Sequence, residues 1–380
     1  MARMDAEVAV VGLGAWGSAT LWRLAAEGVD AIGFDRFTPG HSLGSSHGGS
    51  RMFRITCLEH PGLVPLARRS RELWSQLEDS AGEQLFFPTG GLLIGPKDGH
   101  IAGGTLRASR THDIKVRTLS ARALAFRFPR HTAVPDHHMG VWEPSAGIIR
   151  PERAVQAAVR LAAEAGARVY PDTRIIAIEK VPGGVLLRTA ERAVRVRQVV
   201  VTVGSWLSSL VPGLPLETLR MPITWFRPLE ADRAFDLDRF PVFMRELDDG
   251  RVVWGNGAEG GFDVKLGLEE RGQVSKPIDP DDSDRSVTPD DWADLSRLLP
   301  AKIPGLEPLP AKVAVCMLTR TPDGQFVIGR PGGDPRVVVA GGDNAHGFKH
   351  ATGIGEALAD IVRGGTTKVD LDFLAPDRFR

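Results

Sequence analysis

Residues 10–17 read VVGLGAWG, so Gly12, Gly14 and Gly17 fall in the spacing G-x-G-x-x-G. That spacing serves a pyrophosphate. Gly12 makes a tight turn, Gly14 has no Cβ to hold the phosphates off, and Gly17 lets the following helix pack closely on the strand before it. The helix start offers free N–H groups and partial positive charge. Asp35, at the end of the next strand, can accept from ribose hydroxyls and disfavours NADP, while NAD and FAD both stay open. The loop at 44–54, GSSHGGSRMFR, carries Ser45, His47, Arg51 and Arg54. Two arginines three apart can face one cavity, one suited to a negatively charged cofactor and the other to a substrate carboxylate; two surface arginines are the alternative. Cys316 lies in an apolar run and reads, on its own, as a buried thiol. Lys265 alternates with Phe262, Val264 and Leu266, so it points away from them, and a solvent-facing strand lysine is the plain reading. Lys349 stands among glycines before a helix, either solvated or touching a ligand.

The elements that position these residues follow from periodicity. Val8–Val11 is a short apolar strand, Ala15–Glu27 a helix stopped by Gly28, and Ala31–Asp35 a second strand: a β-α-β unit and hence a parallel sheet. Leu63–Glu78 shows a helical apolar stripe through Leu66, Ser70, Leu73 and Leu77. Thr89–Gly95 reads as a hairpin or strand entry. Pro151–Ala165 is a helix with proline at its first position and Gly166 beyond its end. Ile175–Glu179, Val185–Thr189 and Val194–Val203 are strands, the last too uniformly apolar to have an exposed face. A helix around Pro289–Leu299 should end at Leu299-Pro300. Val313–Leu318, Gln325–Ile328 and Val337–Ala340 return to strand character, as further visits to the first sheet, and Ala351–Val362 is the last helix. The fold class is therefore α/β: a Rossmann-like nucleotide-binding domain in three pieces (1–85, 141–214 and 313–380) and a mixed-sheet substrate domain formed by insertions (86–140 and 215–312).

Composition narrows the function. Of 380 residues, 42% are hydrophobic, and Lys+Arg equals Asp+Glu at 47 each. Zero net charge without a basic run argues against nucleic acid or an anionic membrane as partner. Only two cysteines argue against a disulfide-built secreted fold and point to the cytoplasm. No apolar run approaches a membrane span, and no His/Cys/acid motif calls for a metal.

Nearly the whole chain resembles the monomeric sarcosine oxidase and N-methyltryptophan oxidase family of FAD-dependent, D-amino-acid oxidase-like enzymes. The motifs that carry the likeness are VVGLGAWG at 10–17, GSSHGGSR at 44–51, EPSAGIIRPE at 143–152, VTVGSWLSSL at 201–210, GFDVKLG at 261–267, VCMLTRTPDGQFVIG at 315–329 and AHGFKHATGIGEAL at 345–358. The resemblance implies FAD bonded through its 8α carbon to Cys316. It implies that Gly12, Gly14, Gly17, Asp35, Arg36, Ser45, Arg51, Ile175, Gly347, Phe348 and Lys349 serve the cofactor. Arg54 and Lys349 would hold a substrate carboxylate. Lys265 would stand near flavin N5 where oxygen is reduced, with Arg51 and His47 beside the ring. The helix start after HGFKHATGIG would stabilise negative charge on the reduced flavin.

The chain departs from sarcosine oxidases where they line the substrate pocket. Ser46 replaces a histidine, Leu318 and Trp254 replace tyrosines, and Glu269 replaces a histidine; Met244 completes the expected substrate-side set. The single tyrosine, Tyr170, lies elsewhere. The expected reaction is oxidation of a secondary amino acid, N-substituted or cyclic, by a monomeric enzyme. Oxygen is the expected acceptor and hydrogen peroxide the product. A sugar-substituted or proline-type substrate, or a dehydrogenase with another acceptor, is the alternative.

Overall fold

The computed structural model describes residues 3–230, 233–259, 263–269, 277–282 and 284–379. Phe262, one of the neighbours used above to orient Lys265, lies outside them. Among the described residues the chain forms two eight-stranded sheets and a three-stranded one. No described helix is long and apolar enough to cross a membrane.

The first sheet grows around β1 (Ala6–Val11), which pairs in parallel with β2 (Ala31–Phe34) and with the Ala193–Val201 strand. Helix α1 (Ala15–Ala26) makes the crossover between β1 and β2. Val8 and Val10 join the core beneath α1 and the Pro151–Glu164 and Ala351–Val362 helices, while Ala9 and Val11 join a second core with Ile32, Phe34 and Val185. Burial on both faces is why these strands are uniformly apolar. Gly28 takes φ +74°, the left-handed conformation that lets the chain leave α1.

The second sheet runs in the order Lys312–Arg320, Glu217–Phe226, Val264–Glu269, Val252–Asn256, Val242–Glu246, Gly91–Pro96, His138–Glu143, Arg117–Ser120. The strand carrying Cys316 therefore does not return to the first sheet, as its apolar character alone had suggested. It pairs antiparallel with Glu217–Phe226 over nine residues, Cys316 opposite Met221. An apolar strand fits a buried position in either sheet, so composition does not choose the partner.

The helix expected to end at Leu299-Pro300 continues as Ala293–Lys302 with Pro300 inside it. So near the C-terminus, proline forfeits one backbone bond rather than breaking the helix. Ahead of it, Thr288 and Asp291 form a capping box around a single 3₁₀ turn at Pro289–Asp291.

Register decides what the second sheet presents to the first. Trp225 lies opposite Lys265, Asn256 opposite Lys265, and Trp254 opposite Gly267 and Met244. Side chains alternate between faces, so Met244, Trp254, Lys265, Glu269, Cys316 and Leu318 all belong to one face. The intervening residues Phe226, Phe243, Val253, Val264 and Leu266 pack on the other face with Leu295 and Leu299.

Candidate active site

A long cavity lies between the two sheets. One group of lining residues comes from the β1–α1–β2 unit and its neighbours: Gly12, Gly14, Asp35, Arg36, Ile175, Thr202 and Trp206. A second comes from the 44–54 loop, the second sheet and the segment before the last helix: Ser45, Arg51, Met221, Cys316, Met317, Asp343, Gly347 and Phe348.

The glycines shape this cleft by what a side chain would strike. Gly12 has φ +89°, and a Cβ there would lie 2.7 Å from the Thr202 carbonyl oxygen. A Cβ on Gly17 would lie 1.8 Å from the Gly12 carbonyl oxygen, so α1 and the turn touch. Gly17 does not line the cavity; it lets the turn close. Asp35 accepts from Leu13 N at 2.6 Å and Phe37 N at 2.9 Å, which ties the glycine turn to the end of β2. Burial raises its pKa, against those two bonds and nearby His41. Arg36 pairs with Asp281 and stacks over Trp206 at 5.4 Å. Ser46 spends its hydroxyl on the helix start, accepting from Ala15 N at 3.0 Å.

At the other group, Arg51 is the hinge. Its Nη1 donates to Ser50 O at 3.0 Å, its Nη2 donates to Ser45 O at 2.9 Å, and Nη2 stands 3.7 Å from the Cys316 sulfur. Ser45 in turn donates to Met317 O at 2.6 Å, fastening the loop to the strand. Burial pushes the Cys316 thiol up, and Arg51 works the other way. Lys265 does not face solvent: it is buried, and its Nζ donates to Gly48 O at 2.9 Å and Ser50 O at 2.6 Å. Burial pushes its pKa well down, and Arg51 adds to the effect. His47 is buried too, held down to about 3 by burial first and then by Arg51, so its imidazole is neutral. It lines a second cavity with Gly48, Arg150, Trp225 and Lys312 rather than the long one.

Arg54 and Lys349 meet elsewhere, around an acid the sequence reading did not single out. Arg54 bonds to Glu59 and the Thr56 carbonyl; Lys349 Nζ lies 3.9 Å from Glu59 and 3.4 Å from the Cys57 sulfur. Both cations are buried, and neither lines the long cavity. Burial opposes ionisation of Glu59, but Arg54 and Lys349 outweigh it and hold its carboxyl well below the usual range. Trp254 packs against the Ile223, Trp225 and Cys316 cluster, and Met244 packs toward Leu93 and Val252. Leu318 is half-buried, and Glu269 is exposed at its strand's end. Asp343 was missed as well: half-buried in the cavity wall, it accepts from Thr319 N and Ala345 N at 3.1 and 2.9 Å. Its only signal was an acid directly after the apolar run VVVAGG.

The residues lining the cleft fit a dinucleotide. Glycine backbone and a helix start face one stretch, and a cation, a thiol and apolar residues line the other. A family model described as FAD dependent oxidoreductase matches residues 7–361. The chain belongs to the FAD dependent oxidoreductase family. The enzyme is 34% identical to monomeric sarcosine oxidase of Bacillus sp. (strain B-0618), covering 98% of this chain and 96% of that one. It is 30% identical to N-methyl-L-tryptophan oxidase of Yersinia pestis (strain Pestoides F), covering 99% and 100%. Among solved structures, NikD, an unusual amino acid oxidase essential for nikkomycin biosynthesis, shares the fold with a TM-score of 0.86 at 23% identity, covering 98% of each chain.

Proposed function

We propose that the enzyme oxidises the C–N bond of a secondary amino acid, N-substituted or cyclic, releasing an imine that water hydrolyses, and that oxygen takes the electrons. The observation that carries this reading is the single sheet face on which Cys316, Lys265 and Trp254 stand together, closed by Arg51 from the loop. Bound FAD supplies the two-electron chemistry; the chain supplies position and charge. Gly12, Gly14 and the start of α1 would take the pyrophosphate, Asp35 the ribose. Cys316, with Arg51 beside it to favour the thiolate, would carry the flavin covalently. Arg54 and Lys349 would hold the substrate carboxylate, which must share them with Glu59 or displace it. Trp254, Leu318 and Met244 would wall the nitrogen substituent. The substrate amine must react neutral, because its lone pair drives the loss of hydride. We read the protein as a cytoplasmic monomer; its two cysteines are buried and unpaired.

A second reading has its own support. Burial, and Arg51 after it, push Lys265 toward its uncharged form, and any loss of its charge weakens the help it could give to superoxide. On that reading the enzyme is a dehydrogenase with another acceptor. The test is a screen of amino acids and their N-alkyl and cyclic derivatives for peroxide release, repeated anaerobically with an artificial acceptor. Peroxide with a secondary amino acid supports the oxidase. Turnover only with the artificial acceptor supports the dehydrogenase. Equal turnover of a substrate and its decarboxylated amine would remove the role of Arg54 and Lys349.

A further inference from the structure

Far along the second sheet from Cys316, three side chains converge that the reaction does not use. His137, His138 and Asp248 each bring one ligand atom to within 4.8 Å of the others, and no second group of three such side chains does so among the described residues. Two separate segments supply them. His138 opens the His138–Glu143 strand, and its N–H closes a turn onto Pro135 O at 2.9 Å. That turn takes His137 out of the strand, so adjacent residues can aim at one point instead of opposite faces. Asp248 sits in the turn between Val242–Glu246 and Val252–Asn256, closed by Leu247 N to Arg251 O at 2.8 Å. Its neighbour Asp249 takes Arg251, which leaves Asp248 to the histidines. The Gly91–Pro96 strand lies between the two segments in the sheet.

The spacing is that of a coordination shell. The His137 and His138 nitrogens stand 3.5 and 3.1 Å from the same Asp248 oxygen. Ligands at about 2.0–2.1 Å from a tetrahedral zinc ion stand roughly 3.3–3.4 Å from one another. His138 is 1% exposed in its side chain: its Nε2 stands against Asp248, and its Nδ1 has no hydrogen-bond partner. The nearest buried cation, Arg245, is spoken for: it donates to the carbonyls of Lys302, Thr132 and Ala133.

We propose that His137, His138 and Asp248 bind one divalent transition metal of the zinc class, clipping together the two segments that flank the Gly91–Pro96 strand. Two imidazoles and one carboxylate suit zinc, cobalt or nickel rather than calcium or magnesium. His137 and Asp248 are 66% and 59% exposed, so the fourth position opens to water and the ion exchanges with solvent.

The test uses untagged, FAD-loaded full-length protein, stripped with chelator and titrated calorimetrically with Zn²⁺ and spectroscopically with Co²⁺. One equivalent should bind, Co²⁺ should show the visible bands of nitrogen and oxygen ligation, and Zn²⁺ should raise the unfolding temperature. Asp248→Asn and His137→Gln change exposed side chains and should leave the fold intact. Each should weaken binding at least about tenfold, the scale on which coordination partners act, and abolish the thermal shift. No binding at sub-millimolar metal, or binding that both variants retain, would overturn the site.

Discussion

At the scale of single residues, Lys265 carries the sharpest question. Its Nζ gives two donors to carbonyl oxygens and sits 5.8 Å over the Trp225 ring. It is fixed in place, which is what electrostatic help to a developing superoxide requires. Its lowered pKa makes its charge depend on pH. If the ammonium form serves oxygen, flavin reoxidation slows as pH rises through the lysine's pKa in the loaded enzyme. Lys265→Met should leave anaerobic flavin reduction near the parent rate, slow reoxidation by roughly 10²–10³, the cost of one preorganised donor, and flatten the pH profile. Stopped-flow mixing of reduced protein with oxygenated buffer measures all three; parent-like reoxidation in the variant would favour the dehydrogenase. Arg54→Ala should lower kcat/KM by roughly 10- to 150-fold, from about 1.5–3 kcal/mol per charge-assisted bond. Glu59 adds a second loss, since its carboxylate would keep only Lys349 as counter-charge. For Cys316, acid precipitation should leave the parent protein yellow and release all flavin from Cys316→Ala; flavin lost equally from both would refute the covalent bond.

At the scale of elements, the sequence made some placements legible and hid others. The β1–α1–β2 unit was readable because glycine spacing, helix periodicity and a terminal acid are all local signals. The Ala351–Val362 helix, bounded by glycines, was readable for the same reason. The pairing of Lys312–Arg320 with Glu217–Phe226 was not, since nothing local in an apolar strand names its partner. The alternation around Lys265 correctly put it on the face opposite Val264 and Leu266. It could not say that this face turns inward, because that depends on a loop 217 residues away in sequence. Glu59 was hidden similarly: a loop acid five residues past Arg54 looks solvated until the fold folds that loop over Lys349. A test of the β1–α1–β2 unit is Gly17→Ala. The new methyl would meet the Gly12 carbonyl oxygen at 1.8 Å and the Thr202 hydroxyl at 2.5 Å. Forcing the turn open should cost about 1–3 kcal/mol of stability and yield protein purified with little flavin. Full flavin content and an unchanged urea midpoint would show that the turn yields more easily than its contacts imply.

At the scale of the whole molecule, buried and half-buried histidines tie stability to pH. His47 and His131 are held down to about 3 and His346 to about 4, in each case first by burial. Their ordinary value is 6.5, so between 6.5 and those values the unfolded chain takes up protons that the folded chain refuses. The folded state is therefore fully favoured above 6.5 and loses ground as pH falls, by up to about 1.4 kcal/mol per pH unit for each such histidine. Asp35 and Asp343, whose carboxyls burial raises, hold protons more tightly when folded and oppose this trend. His131 isolates the effect because it lies apart from the cofactor cavity, stacked on Phe240 at 4.8 Å and edge-on to Phe243 at 4.6 Å. Neither of its nitrogens has a hydrogen-bond partner, and Arg245 nearby disfavours a second positive charge. Phenylalanine fits an aromatic cluster without the buried polar atoms, whose lack of partners costs about 1–3 kcal/mol. His131→Phe should therefore raise stability at pH 7 and also remove one histidine's share of the acid slope. Urea unfolding from pH 7 down to pH 5 measures both, with the flavin spectrum reporting that the cofactor cleft is untouched. A variant more stable at pH 7 but with the parent's slope would mean that His131 takes up its proton in the fold as it does in the unfolded chain, and that the acid sensitivity belongs to other histidines held down by burial, His47, His346 and His350 among them.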